Sequence, residues 1–155
     1  MKKQFLITPT VSVGEIMLGM DRDDVRGILL DYSEYKNQHD DGNTADCFEI
    51  CQVFYNDENK AEFIMFHALD EVELLWGESL LTDMTKDQLV CFFSALDPDI
   101  FVEDYGYGII SIESNRLGVA CYFVKDIETD ESGNDVEVDK VETISVAVKD
   151  YWKDA

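Results

Sequence analysis

Acid–base chemistry near neutral pH most often calls on histidine, and this chain offers only His39 and His67. His67 closes an apolar run beside Ala68 and Leu69, the setting of a structural imidazole. His39-Asp40-Asp41 lies in a polar stretch with no further ligand at a recognisable metal spacing. No nucleophile elbow, phosphate-binding glycine loop, dinucleotide glycine motif or paired-histidine zinc motif occurs. Cys47 and Cys51 stand four apart, which on one strand puts both on the same face, but Cys91 and Cys121 add no second pair for zinc. All four thiols sit in apolar segments and read as reduced core residues. Asp126, Glu128, Asp130 and Glu137 occupy positions one, three, five and twelve of a calcium-type loop. Glu131 stands where that loop needs glycine, and no flanking helices are expected, so the segment does not read as an EF-hand. A looser divalent-cation site within residues 126–139 is left open. The expectation is therefore no catalytic set, no cofactor site and no metal centre.

Binding is the better prospect. Glu103-Asp104-Tyr105-Gly106-Tyr107 mixes rings and carboxylates in one short segment, and Trp76 and Trp152 are further large aromatics. Aromatic anchors edged by charge suit a protein interface. The candidate interface residues are Trp76, Glu103, Asp104, Tyr105, Tyr107 and Trp152.

The elements that must carry these residues follow from a motif that occurs twice. Gly14-Glu15-Ile16-Met17-Leu18-Gly19-Met20-Asp21 leads into one helix, and Gly77-Glu78-Ser79-Leu80-Leu81-Thr82-Asp83-Met84-Thr85 into another. Asp21 and Thr85 are N-cap types, with Asp24 and Gln88 three residues later, as in a capping box. Met20 with Val25, and Met84 with Leu89, take the two positions of a hydrophobic staple. Val25, Ile28, Leu29 and Tyr32 recur, 64 residues on, as Leu89, Phe92, Phe93 and Leu96. The first helix is expected over about residues 22–35. Residues 48–55 and 61–67 read as a hairpin, as do 107–112 and 117–124. Residues 70–76 read as a strand, residues 126–139 as an acidic insert, and residues 142–148 alternate as a half-buried strand does. The fold expected is α+β: a tandem helix-plus-β-hairpin repeat, two helices packed on one face of a shared, largely antiparallel sheet of roughly seven strands. Residues 1–155 form one domain in this reading, with repeats at about 11–67 and 74–124 and a C-terminal strand at 142–149.

Thirty-four acids against twelve bases give a net charge of −22. A surface of that sign repels nucleic acid and anionic membranes, which leaves a basic protein partner or simply solubility as its use. An apolar fraction of 46%, with nine Phe, seven Tyr and two Trp, is ample for a packed core. Lys2 and Lys3 are followed only by Phe5-Leu6-Ile7 before Thr8-Pro9-Thr10, too short for a secretory h-region. A cytoplasmic location is expected, and composition does not set the oligomeric state.

The capped helix Ile16 to Arg26, the strand ending at Tyr55, Leu96-Asp97-Pro98-Asp99 and the closing Ser145-Val146-Ala147-Val148 together resemble the β-lactamase-inhibitor-protein-like fold. The pattern is also similar to the small acidic immunity proteins encoded beside bacterial polymorphic toxins. Related envelope lipoproteins carry a lipid-attachment cysteine near their start, and here no cysteine precedes Cys47. The resemblance implies non-enzymatic inhibition by binding, as an immunity protein or inhibitor that occludes a basic toxin or enzyme. A structural or regulatory interaction domain without a toxin partner is the alternative, and a small-molecule hydrolase comes third.

Overall fold

The computed structural model describes residues 3–30, 33–36, 44–67, 71–106 and 109–152. The chain runs β1 (Lys3–Thr8), β2 (Ser12–Val13), β3 (Ile16–Met17), α1 (Arg22–Ile28), β4 (Ser33–Lys36), β5 (Thr44–Cys47), β6 (Cys51–Tyr55) and β7 (Ala61–His67). It continues with β8 (Val72–Trp76), β9 (Ser79–Leu80), a 3₁₀ turn (Leu81–Asp83), α2 (Lys86–Leu96), β10 (Phe101–Gly106), β11 (Ile109–Ser114), β12 (Val119–Thr129) and β13 (Asp135–Ala147). The protein is mixed α and β, mostly sheet, with two α-helices. No helix among the described residues is long and apolar enough to cross a membrane.

The strands form two sheets where a single shared sheet was expected. A five-stranded sheet has the order β3-β2-β1-β8-β9, and an eight-stranded sheet the order β10-β11-β12-β13-β7-β6-β5-β4. In the smaller sheet β1 and β8 pair in parallel, with Phe5 opposite Leu74 and Ile7 opposite Trp76. A parallel pair needs a long crossover, and the chain between them supplies it, so these two strands stay out of the antiparallel sheet.

Two local structures at the duplicated motif agree. Val13-Gly14-Glu15-Ile16 and Trp76-Gly77-Glu78-Ser79 are both two-residue hairpin connections, and the two hairpins flank β1. Gly14 and Gly77 have φ of 58° and 62°, the left-handed region that the first central position of a II′ turn demands. The helices that follow then diverge. Thr85 caps α2 as expected: its hydroxyl accepts from the Gln88 N–H at 3.2 Å, and the Gln88 side chain accepts from the Thr85 N–H at 2.9 Å. Asp21 makes no side-chain cap; its carboxylate pairs with Lys60 instead.

Helix α1 is also shorter than its apolar spacing suggests. Among the described residues of its stripe only Val25 is buried, and Ile28 and the neighbouring Leu30 are exposed. Ser33–Lys36 is drawn into the sheet as β4, pairing with Thr44–Cys47, so tertiary pairing overrides local helical preference. The expected strand over residues 48–55 starts only at Cys51, as β6, with residues 48–50 in the turn from β5, so Cys47 and Cys51 lie on neighbouring strands and not on one. Residues 126–139 are no loose insert: β12 and β13 stay paired from Val119↔Val146 out to Thr129↔Asp135.

One hydrophobic core joins both sheets and both helices. It takes Ile7, Val13, Ile16 and Leu74 from the small sheet, Val25, Leu89 and Phe93 from the helices, and Val53, Ile64, Phe66, Ile112, Phe123 and Ile144 from the large one. By the period-two alternation of strands, the opposite face of the large sheet carries Glu103, Tyr105, Glu113, Tyr122 and Met65. The candidate site lies at one end of that face.

Candidate functional site

Strand β10 is one end of the eight-stranded sheet, paired among the described residues only with β11. Its register places Phe101 opposite Glu113 and Glu103 opposite Ser111, so Phe101, Glu103 and Tyr105 share the outward face with Glu113. The C-terminal segment folds toward the same end. Asn115, in the β11–β12 turn, accepts from the Trp152 N–H through its side chain at 3.2 Å and from the Asp150 N–H through its carbonyl at 3.3 Å. Trp152 and Tyr151 pack on Phe63, with ring centroids 5.9 and 5.1 Å away. The result is a cleft of about 960 Å³ walled by the β10–β11 face, the Asp97–Asp99 bend and the closing Lys149–Trp152 segment.

Its chemistry is carboxylate and ring. Glu103, Glu113, Asp99 and Asp150 line it with Phe101, Tyr105 and Trp152; Arg116 and Lys149 are the cations there. Burial first, and then the negative charge of Glu103, push the Glu113 carboxyl above its ordinary range. Asp97 is committed elsewhere: its carboxylate accepts from the buried Ser114 hydroxyl at 2.6 Å and from the Asp99 N–H at 3.0 Å. The Ser114 bond is the main reason its pKa is lowered. Tyr105 stacks beside Tyr122 at 6.5 Å. Burial, then Tyr105, raises the Tyr122 phenol. Glu103 and Glu113 make no ion pair among the described residues. Carboxylates and the ring faces of Tyr105 and Trp152 are the groups here that could attract a cation.

A second acidic centre is of another kind. Asp46, on β5, is 0% exposed. It accepts from Arg22 Nε and Nη2 at 3.3 and 2.8 Å, from Arg26 Nε and Nη2 at 2.8 and 2.9 Å, and from the Tyr55 hydroxyl at 3.0 Å. Arg22 also lies over the Tyr55 ring, 4.6 Å from its centre. Burial works to raise the Asp46 pKa, but the hydrogen bonds from Arg26, Arg22 and Tyr55 outweigh it and hold it at about 2. The same burial, with Asp46 beside it, drives the Tyr55 phenol up. This is a fastening between α1 and the sheet.

Of the residues expected at an interface, Glu103, Tyr105 and Trp152 meet in the cleft. Asp104 points to the other face of β10, where its carboxylate accepts from the Gly106 N–H at 2.9 Å. Trp76 lies apart, edge-on to Phe93 and Phe92 of α2 at 5.3 and 6.3 Å. Tyr107 lies outside the described residues, as does His39. Sequence reading missed Phe101 and Glu113, which only the β10–β11 register unites. It also missed Asp46, although Arg22 and Arg26, four apart on one helix face, carried the signal.

Among the described residues no three His, Cys, Asp or Glu side chains converge to hold a metal. Two acids of the β12–β13 arm share one lysine: Lys140 reaches Glu128 at 2.6 Å and Asp126 at 3.2 Å. The cysteines are free, and burial pushes the Cys51 and Cys121 thiols up to about 12, with Cys47 adding to the shift at Cys51. Cys91, expected inside, is exposed on α2. No family model, no curated protein and no solved structure matches this chain.

Proposed function

We propose that this chain is a non-enzymatic, cytoplasmic protein-binding module for a basic partner, in its most specific form an immunity protein or inhibitor that occludes a basic toxin or enzyme. The observation that carries this reading is the cleft itself, where Glu103, Tyr105 and Trp152 meet Glu113 and Phe101, and where Glu103 and Glu113 have no ion pair among the described residues. A net charge of −22 attracts a basic partner from a distance, and the rings supply short-range contact once water is displaced. The matching Gly14 and Gly77 hairpins, each leading to a helix and then to an antiparallel meander, support descent from a tandem helix-plus-hairpin duplication.

The test is stopped-flow association with the protein encoded by the neighbouring gene. Association is expected to be fast at low salt and to slow steeply as salt rises, since surface charges act over about 10 Å at 0.1 M ionic strength and about 3 Å at 1 M. Dissociation should respond much less. An on-rate indifferent to salt removes electrostatic steering. Absence of binding removes the immunity reading for that pair.

A further inference from the structure

We infer that the free edge of β10 is a strand-addition site for an extended basic segment of a protein partner, an inference that rests on the protein-binding reading above. A terminal strand keeps one row of backbone N–H and C=O groups facing away from its only neighbour, a template for another strand. Among the sheet ends, β3 and β9 are two residues long and β4 four, with Lys36 on it, whereas β10 has six. Lysine, proline and bulges are the usual guards of an edge. β10 has no Lys or Pro, and its one bulge lies between Asp104 and Gly106, leaving Phe101–Asp104 regular.

The two faces of this edge specify the occupant. Val102 is on the core side of the sheet, opposite the buried Ile112, yet it is 51% exposed because no strand lies beyond it. An added strand would extend the apolar face and cover it. On the other side, Phe101 and Tyr105 are 55% and 46% exposed, with Glu103 between them and Glu113 behind. A strand alternating apolar with basic side chains matches both faces, apolar beside Val102 and basic over the cleft. The acids of β10 exclude the other candidates. A second copy pairing edge to edge would set Glu103 and Asp104 against their own kind, in two chains of −22 each. The carboxylates that protect this edge from self-association are those that admit a basic strand.

The test titrates the full chain at low ionic strength with three labelled peptides of about eight residues. One alternates Lys with Val, one alternates Glu with Val, and one has the charge of the first with prolines interrupting it. The Lys–Val peptide is expected to bind, the Glu–Val peptide not to bind, and the interrupted peptide to bind at least about ten-fold more weakly. Amide hydrogen exchange should slow within Phe101–Asp104 when the Lys–Val peptide is present. A Glu103→Gln/Glu113→Gln variant should weaken that peptide at least about three-fold. Equal binding of the interrupted peptide, protection on another strand, or no binding of the Lys–Val peptide would overturn the proposal. A self-associating free chain with β10 already protected would overturn it in favour of a second copy. If the neighbouring-gene protein binds while β10 amides stay unprotected, strand addition fails and the protein-binding reading stands. If that protein does not bind at all, the immunity reading fails for that pair, while the peptide titration still decides strand addition.

Discussion

Asp46 and the Glu103–Glu113 pair are carboxylates in one protein with opposite surroundings. Asp46 is sealed beneath α1 and accepts five hydrogen bonds from two arginines and a tyrosine. Glu103 and Glu113 sit in a cleft, without an ion pair among the described residues and with one another's charge to resist. The difference teaches how to read acidity in a chain of net charge −22. A carboxylate whose acceptor sites are filled by the fold is a fastening. Carboxylates left to water beside exposed rings retain capacity for a partner's cations.

The sharpest way to break this comparison is to remove the fastening. Asp46→Ala leaves the two guanidinium groups and the Tyr55 hydroxyl without the carboxylate they enclose, and should cost about 3–5 kcal/mol in denaturant unfolding. A loss under about 1 kcal/mol would make Asp46 an ordinary surface acid. The second effect is acid sensitivity. A native pKa of about 2 against an ordinary 3.8 means Asp46 contributes stability in full above pH 4. That contribution, about 2 kcal/mol, disappears as pH falls from about 4 through 2. Unfolding followed across that window should show the loss, and Asp46→Asn should flatten it. Third comes the contrast between helix starts. Thr85→Ala breaks a formed capping box and should cost about 1 kcal/mol. Asp21→Ala removes an exposed pair with Lys60 and should shift the unfolding midpoint less than Thr85→Ala does. Equal midpoint shifts for the two variants would contradict the assigned caps.

How much of this was legible depends on the range of the interaction. The Thr85 cap, β6–β7 and the final strand rest on near neighbours in sequence, and the residue pattern shows them; the duplicated Gly-Glu motif was visible as a lead-in to helices, but not as hairpins. The register that sets Phe101 against Glu113 is just as local, but the hairpin was expected at residues 107–112 and 117–124, and Phe101–Gly106, with its mixed acids and rings, did not read as a strand. The parallel β1–β8 pair joins distant positions, so one sheet was expected where two exist. The first helix was read too long because its apolar spacing ran on while β4 was claimed by pairing with β5. At the cleft, Glu103, Tyr105 and Trp152 were visible as an acidic–aromatic composition. Their convergence required the C-terminal turn to be tied back through Asn115. Trp76 has the same residue type as Trp152, but α2 already covers it with Phe92 and Phe93.

The most direct test of the distinction is a paired measurement on two variants, Glu103→Gln/Glu113→Gln and Asp46→Asn. Each is assayed for unfolding free energy and for affinity toward the protein encoded by the neighbouring gene. The cleft variant should keep its stability within about 0.5 kcal/mol, or gain slightly because Glu113 is a charge that burial disfavours. It should lose affinity at least about five-fold. Asp46→Asn should do the reverse, losing stability while the folded fraction binds with unchanged affinity. A cleft variant that binds as tightly as the parent chain, or an Asp46→Asn protein that stays equally stable and loses binding, would contradict the account.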